Sequence, residues 1–388
     1  MVTTIAIAVI AASLSCSFLY ATLILLYAGR APVRMVNLSS YPKTNVFLTL
    51  RSLDDGLEEN LISVFSLDYP NFDVSFAVDA LDDPCVQVAQ RVRARFPGIR
   101  TAIIQVDQTQ AHNPKVNKLA CLEGHSDAPL IWVLDSDVRV NPHTLRALMD
   151  EHLDRGANMV FSLIRCQGAR TFGSVIEMCY VNFFMSGSIL TAWKLFHQRV
   201  IVGKSLLIER KALDAVGGFM YFADVLAEDY WLGETFSRHG FSVRCNDSWI
   251  DTIKETSTLK KYFDRMGRWA KLRFNLVRPV YLLEIFLNPL ALVLLFLPLL
   301  KSNALPLALI VIFLRVVLEY LVFFAKNDGD CRRPAVVLAI APAVLAKDFL
   351  SLLVYFIPFF SNTLTWRGNT IRIGKKTKIT FNPKNPPL

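Results

Sequence analysis

The sequence predicts an α/β fold, a mostly parallel sheet with helices on both faces, set between an apolar segment at its start and several more at its end. Three observations carry this expectation. Residues 4–27 contain no charged side chain, a run longer than the roughly 18 apolar residues that suggest a spanning helix. From Asn45 to Arg278 short apolar runs alternate with amphipathic ones across short connections, the pattern of a parallel sheet covered by helices. Beyond Arg278 lie three long apolar stretches, 280–300, 305–325 and 335–360.

Taken in order, residues 4–27 read as a signal anchor. A cleaved leader, the alternative, would have a shorter apolar core and basic residues in front of it. Here the basic residues, Arg30, Arg34 and Lys43, come afterwards, and the positive-inside rule then puts the following domain on the cytosolic side. That domain spans residues 31–279. Its expected strands are 46–50, 74–78, 101–106 and the run Leu130-Ile131-Trp132-Val133-Leu134, with helices at 57–67, 86–96 and 116–123 between them.

Residues 280–360 form the C-terminal membrane region and 361–388 a basic tail. Arg315 and Glu319 stand one helical turn apart inside an apolar run, and Lys347-Asp348 inside another. Ionisable groups at such depth face a bundle interior and pair, so an intramembrane ion pair is expected, with a lipid-headgroup contact as the alternative. Three full spans would leave Arg367, Arg372, Lys375, Lys376 and Lys378 on the far side, against the charge rule. Either one stretch is interfacial or re-entrant, with the one broken at Asn288-Pro289 as the candidate, or the tail is an exception to that rule.

Composition narrows the function classes. With 53% hydrophobic residues and a mean hydropathy of +0.36, the chain is too apolar for a purely soluble protein. Its net charge of +9 comes largely from Lys and Arg flanking apolar runs, which suits an anionic membrane face better than nucleic acid. The seven cysteines are odd in number and form no C-x-x-C, so neither a disulfide framework nor a zinc site is indicated and a reducing compartment fits.

The chemistry centres on Asp135-Ser136-Asp137, two carboxylates at the end of a buried strand. Ligands of open α/β sheets sit beyond the carboxyl ends of strands, and Mg²⁺ is typically held by one or two carboxylates plus substrate phosphates. The pair proposes a metal–phosphate site; a turn capped by Asp is the plain alternative. Asp79, followed by Asp82-Asp83-Pro84, ends another strand at the same edge. Ala227-Glu228-Asp229-Tyr230 opens a helix, where the carboxylates are either N-terminal capping groups or a general base beside a neighbour that raises its pKa. Arg265-Met266-Gly267-Arg268-Trp269 is an amphipathic juxtamembrane helix, or Arg268 neutralises a leaving diphosphate while Trp269 lines an acceptor pocket. Lys115 of Asn113-Pro114-Lys115 either contacts donor phosphate or is solvated. Gly203-Lys204-Ser205 resembles the end of a P-loop, but Gln198 stands where the first glycine is needed, and that reading is rejected.

Together and in this order, the motifs resemble the membrane glycosyltransferases of GT-A fold that carry a D-x-D, a later E-D and a final (Q/R)-x-x-R-W. The closer resemblance is to the ceramide glucosyltransferase family. It rests on Leu67-Asp68-Tyr69-Pro70, Asn113-Pro114-Lys115-Val116-Asn117, Asp135-Ser136-Asp137-Val138-Arg139-Val140, Ala227-Glu228-Asp229-Tyr230, Arg265-Met266-Gly267-Arg268-Trp269-Ala270-Lys271-Leu272-Arg273 and Thr365-Trp366-Arg367-Gly368, which cover nearly the whole chain.

The resemblance implies inverting transfer of glucose from UDP-glucose to the primary hydroxyl of ceramide on the cytosolic membrane face. It implies Asp137 at the Mg²⁺ or Mn²⁺ site, Asp229 as base, Arg268 and Trp269 at the diphosphate and acceptor, and Asp79 in the uridine-binding turn. Lys115, Asp135 and Glu228 complete the donor site. The chain departs from the pattern at Ala80, where the family has Asp, which leaves Asp79 and Asp82 to share that role. Arg265 in place of Gln favours a single sugar per acceptor. The other readings are a UDP-sugar transferase acting on another lipid, N-acetylglucosamine to a hopanoid polyol or hexose to diacylglycerol, and a catalytically silent membrane adaptor. A transporter fits poorly with so large a polar insert at 31–279.

Overall fold

The apolar run that ends at Asp135 forms the centre of a sheet, because all but its last residue are buried and its neighbours on both sides are strands. In the computed structural model, residues 1–27, 41–106, 111–198, 200–326, 329–366 and 369–381 are described. The basic residues Arg30 and Arg34, and Arg367 and Gly368 of the tail motif, lie outside them. The chain divides into two compact units. A sheet unit contains Gly29–Arg165 and Ala192–Ile253, and a helical unit contains Met1–Ala28, Cys166–Thr191 and Lys254–Leu388.

In the sheet unit, β1 (Thr44–Thr49), β2 (Phe72–Val78), β3 (Thr101–Gln105) and β4 (Leu130–Asp135) follow the expected positions closely. They pair in parallel in the order β3-β2-β1-β4. The intervening helices Leu57–Phe65, Pro84–Arg95 and Pro114–Gly124 start where the sequence supplies start signals. Asp83 accepts from the Cys85 amide and Asn113 from the Lys115 and Val116 amides, each followed by proline at the first helical position.

The other half of the sheet departs from the mostly parallel expectation. β5 (Val138–Arg139), β6 (Met159–Gln167), β7 (Ser205–Glu209) and β8 (Val243–Ile253) complete the order β3-β2-β1-β4-β7-β6-β8-β5. β7 runs antiparallel to both β4 and β6, and β5 antiparallel to β8, so the sheet is mixed. The reason is local. A helical excursion separates β6 from β7, and β7 re-enters beside β4 from the opposite direction, with Ser205 facing Leu134.

The helical unit begins with Val2–Leu26, as expected. Among the described residues four helical segments are long and apolar enough to cross a membrane: Val2–Leu26, Phe172–Lys194, Leu297–Lys326 and Pro334–Phe360. They are consistent with an integral membrane protein. Phe172–Lys194 falls inside the stretch the sequence reads as soluble; most of it is buried within the protein, and it carries a π-helical turn at Tyr180–Met185. The apolar stretch broken at Asn288-Pro289 is two short helical segments, Arg278–Leu287 and Pro289–Leu295, bent by 82°. Proline has no amide hydrogen to donate, and Asn288 caps the second segment by accepting from the Ala291 amide. The tail forms a small antiparallel sheet of β9 (Thr363–Trp366), β10 (Asn369–Ile373) and β11 (Ile379–Phe381), with Arg372, Lys375, Lys376 and Lys378 exposed.

Gly173 is where two helix starts of this unit meet: an added Cβ would lie 2.4 Å from the Ser257 carbonyl oxygen and 2.7 Å from the Thr258 carbonyl carbon. Backbone cannot yield as a side chain can. Gly173→Ala should therefore lower stability by about 1–3 kcal/mol despite alanine's better helix propensity. Thermal melts of the detergent-solubilised chain check this; an unchanged or higher midpoint would contradict the packing described.

Candidate active site

Four carboxylates from distant parts of the chain gather at the end of β4, and two lysines join them. Lys115, in the first turn of helix Pro114–Gly124, reaches Asp135 Oδ1 at 2.9 Å and Glu228 Oε1 at 3.3 Å. Lys204, immediately before β7, reaches Asp137 Oδ1 at 2.6 Å and Asp135 Oδ2 at 3.3 Å. Lys115, Glu228 and Asp229 line one small cavity of about 10 Å³. Neither sequence reading of Lys115, solvated or at a phosphate, anticipates that it is held between two acidic side chains.

The Gly203-Lys204-Ser205 segment, rejected as a phosphate loop, is the strap between the two acidic motifs. Its Gly203 amide donates to Asp229 Oδ2 at 2.9 Å while the next residue holds Asp137. Only glycine fits there, because a Cβ would stand 2.7 Å from the Asp229 side chain. Ser205 anchors the strap: its hydroxyl accepts from the buried Trp132 indole N–H at 3.0 Å. The antiparallel pairing of β7 with β4 thus brings the strap onto the end of the Asp135 strand, and the Asp135 amide donates to the Lys204 carbonyl at 3.2 Å.

The electrostatics follow from this alternation of charge. Burial pushes the Asp135 carboxyl up, but the Lys115 and Lys204 ammoniums outweigh it and hold the group below its ordinary range. Burial likewise disfavours charge on Lys115, and Asp135 and Glu228 reverse that, so its ammonium is held above its ordinary value. Asp229 differs. Burial, reinforced by Glu228, raises it from 3.8 to about 6, against the opposing pull of Lys115 and the amides of Tyr230 and Gly203. Glu228 and Asp229 stand in the first turn of helix Glu228–Arg238, where the dipole favours them, so the capping reading and a chemical one coexist.

The other expected site residues fall as follows. Asp79 ends the β2 edge, 2.9 Å from the fully buried Lys118 and 3.6 Å from Arg51. Lys118 lies one turn beyond Lys115 on the same helix, so one helix face serves two strand ends. Asp82 is exposed on the turn, and its neighbour Asp83 is taken up by the Ser52 and Cys85 amides. Arg265, Arg268 and Trp269 belong to the helical unit, on helix Leu259–Leu276. Arg265 pairs with the buried Glu177, Trp269 lies against Tyr180 with ring centroids 6.4 Å apart, and Arg268 is half-buried. Lys118 and Glu177 do not figure in the sequence reading, and Lys204 figures only within the rejected P-loop; a lysine directly preceding an apolar strand run is the one signal for Lys204.

Among the described residues no three His, Cys, Asp or Glu side chains are grouped to hold a metal ion. The hard oxygens of Asp135 and Asp137 still suit a divalent cation whose remaining ligands are phosphate oxygens, which is how Mg²⁺ is commonly bound.

Comparison with known proteins bears on the whole chain. Ceramide glucosyltransferase 3 of Caenorhabditis elegans is 25% identical over 254 residues, 63% of this chain and 54% of that protein. Ceramide glucosyltransferase of Komagataella phaffii is 23% identical over 292 residues, 61% of this chain and 57% of that protein. The chain spans about half the length of the curated relatives it matches. Among solved structures, mannosyltransferase PcManGT from Pyrobaculum calidifontis, in complex with GDP-Man and Mn²⁺, aligns over 90% of this chain and 99% of its own. Its identity is 16% and its TM-score 0.47, a likeness too loose to carry an argument. The family described as Glycosyl transferase family 21 matches residues 3–379, nearly the full length, and the chain belongs to that family.

Proposed function

We propose that this protein transfers glucose from UDP-glucose to the primary hydroxyl of ceramide, with inversion, on the cytosolic face of a membrane. The observation that carries the reading is the meeting of Asp135 and Asp137 with Glu228 and Asp229 around Lys115 and Lys204. Family membership and the apolar helices support a lipid acceptor. The basic residues after the first helix support the cytosolic side, and the parallel half of the sheet supports a GT-A core.

In this scheme Asp229 takes the proton of the acceptor hydroxyl as its oxygen attacks the anomeric carbon from the face opposite UDP. That attack turns an α-linked donor into a β-glucoside. A base raised to about 6 is ionised at neutral pH yet a better proton acceptor than an ordinary aspartate. Lys115, paired with Asp135 and Glu228, meets donor phosphate. Asp79 and Asp82 take the uridine end. Arg268 and Trp269 serve the diphosphate and the acceptor, and Glu177 fixes Arg265 beside them.

Charge counting supports a cation here. Four carboxylates against two ammoniums leave an excess of negative charge that a diphosphate enters only with further positive charge. Mg²⁺ or Mn²⁺ held by Asp137 and Asp135 would supply it and offset charge developing on the leaving group.

Incubating the full chain in detergent with radiolabelled UDP-glucose, Mg²⁺ and ceramide should yield a labelled lipid. Parallel reactions with diacylglycerol, a hopanoid polyol or UDP-N-acetylglucosamine assign the substrates. Label in one of these and not in ceramide moves the acceptor or donor; label in none, with the protein folded, rejects the reading in favour of a silent adaptor.

Asp229 also predicts two pH effects. Turnover should fall on the acid side with a midpoint near pH 6. Its folded-state value lies above the ordinary 3.8, so its contribution to stability is full below that value and lost as pH rises through about 6. Asp229→Asn should therefore cost about 10²–10⁴-fold in kcat. At pH 7.5 its melting temperature should match or exceed that of the unaltered chain. Residual activity near the unaltered level, or collapse of the fold, would remove Asp229 from the role of base.

A further inference from the structure

Charged side chains within the apolar helices satisfy one another. Arg315 is 2.9 Å from Glu319 and 3.2 Å from Asp348, while Lys347 pairs with Glu319 and lies 3.4 Å from Asp348. The intramembrane ion pair expected from Arg315 and Glu319 is present, enlarged into a buried tetrad of two cations and two anions. The cavity of about 60 Å³ beside it is lined by side chains of the helical unit, whereas Asp229 belongs to the sheet unit. A lipid whose hydroxyl meets Asp229 must keep its hydrocarbon in apolar surroundings. The sheet unit therefore needs a bilayer contact of its own.

The segment that leads to Asp229 supplies one. Helix Ser186–Lys194 ends a segment apolar enough to cross a membrane, and the chain then folds back. The Gln198 amide donates to the Ala192 carbonyl at 2.8 Å, and the Trp193 indole N–H to the Val200 carbonyl at 2.5 Å. The Trp193 ring lies 5.0 Å from that of the fully buried Phe161, and Lys194 reaches Asp247 at 3.0 Å. His197 turns the chain at φ +51°, a left-handed conformation rarely adopted outside glycine. On this anchored turn Leu195 is 48% exposed and Phe196 66%, with Val200 exposed as well.

A firm mount that displays neighbouring apolar side chains calls for an apolar cover. Three features make that cover the hydrocarbon edge of a leaflet. The turn continues an apolar helix. Trp193, Leu195 and Phe196 are the residue types that interfacial segments bury. Residues 178–208 hold no Asp or Glu, and His197 and Arg199 follow the tip, so anionic headgroups meet no like charge from this segment. Beyond Val200 the chain runs directly to the proposed base. Ile201 lies against Gly233 of helix Glu228–Arg238, where any Cβ would overlap it, and the Gly203 amide donates to Asp229.

We propose that Leu195 and Phe196 form an interfacial wedge that enters the hydrocarbon of an anionic leaflet and holds acceptor lipid beside the strap that touches Asp229. The occupant is membrane lipid. Insertion of the wedge stands on its own; the delivery of acceptor rests on the proposed reaction.

The full chain in vesicles of phosphatidylcholine and phosphatidylserine, doped with a phospholipid carrying a diazirine in its acyl chain, tests this. Photolysis should label the tryptic peptide 195–199, with helix Pro334–Phe360 as the internal control. Phe196→Glu should remove that label and spare the control. With ceramide presented in the same vesicles, Phe196→Glu and Leu195→Ser should each raise its apparent KM by about fivefold or more, with kcat and donor KM unchanged. For a short-chain ceramide in free solution the shift should fall below about twofold. Peptide 195–199 unlabelled while the control is labelled, or label undiminished in Phe196→Glu, overturns the wedge. An unshifted ceramide KM in both variants overturns it too. Label on 195–199 without any sugar product keeps the wedge and rejects the reaction; product without that label does the reverse. Should Phe196→Glu fail to fold, Leu195→Ser and the labelling of the unaltered chain decide.

Discussion

The sheet unit depends on one alternation of charge: Glu228, Lys115, Asp135, Lys204, Asp137, each within 3.3 Å of the next. A buried carboxylate without a partner is strongly destabilising, and removing one member of a buried pair costs about 3–5 kcal/mol. The sequence must therefore deliver both lysines wherever it delivers the acids. Helix Pro114–Gly124 brings one, capped into position by Asn113, and the strap before β7 brings the other. The antiparallel insertion of β7 beside β4 is thus the topological feature that allows the acidic motifs to approach each other. A purely parallel sheet would have no strand start at that edge.

The helical unit solves a related problem in a different solvent. Charged groups midway along apolar helices are costly in hydrocarbon unless they pair or line a cavity, and here they do both. The break at Asn288-Pro289, bent by 82°, contributes to this, because the Asn288 side chain donates to the Asp348 carbonyl oxygen at 2.8 Å. Glu177 plays a similar part within Phe172–Lys194, buried and paired with Arg265. The arginine that opens the R-x-x-R-W motif is thereby held by the segment the sequence reads as soluble.

How much was legible follows from how local each signal is. The first four strands were, because each is an apolar run bounded by turn residues, with acids following β2 and ending β4. The Arg315–Glu319 pair was, because helical spacing alone puts residues four apart on one face. Lys347 and Asp348 joined it only through tertiary packing. β6, β7 and β8 were not read, since their pairing partners lie far away in the chain. Phe172–Lys194 was missed because Ser174, Glu177 and Asn182 interrupt its apolar character; each is buried, and Ser174 and Asn182 serve as a capping box and as a clamp on the Cys166 backbone. The pairing of Lys204 with Asp135 and Asp137 is invisible to motif spacing, since it comes from standing one residue before β7.

The lattice of lysines and carboxylates is the point at which the account is most exposed. Calorimetric titration of UDP-glucose into the unaltered chain and into Lys115→Met, each first shown by circular dichroism to be folded at the titration temperature, tests it directly. The account predicts an affinity for the donor lower by about tenfold or more in the variant, since Asp135 and Glu228 then face the diphosphate uncompensated. Equal affinity in the two proteins would contradict it, and would place the sugar nucleotide elsewhere.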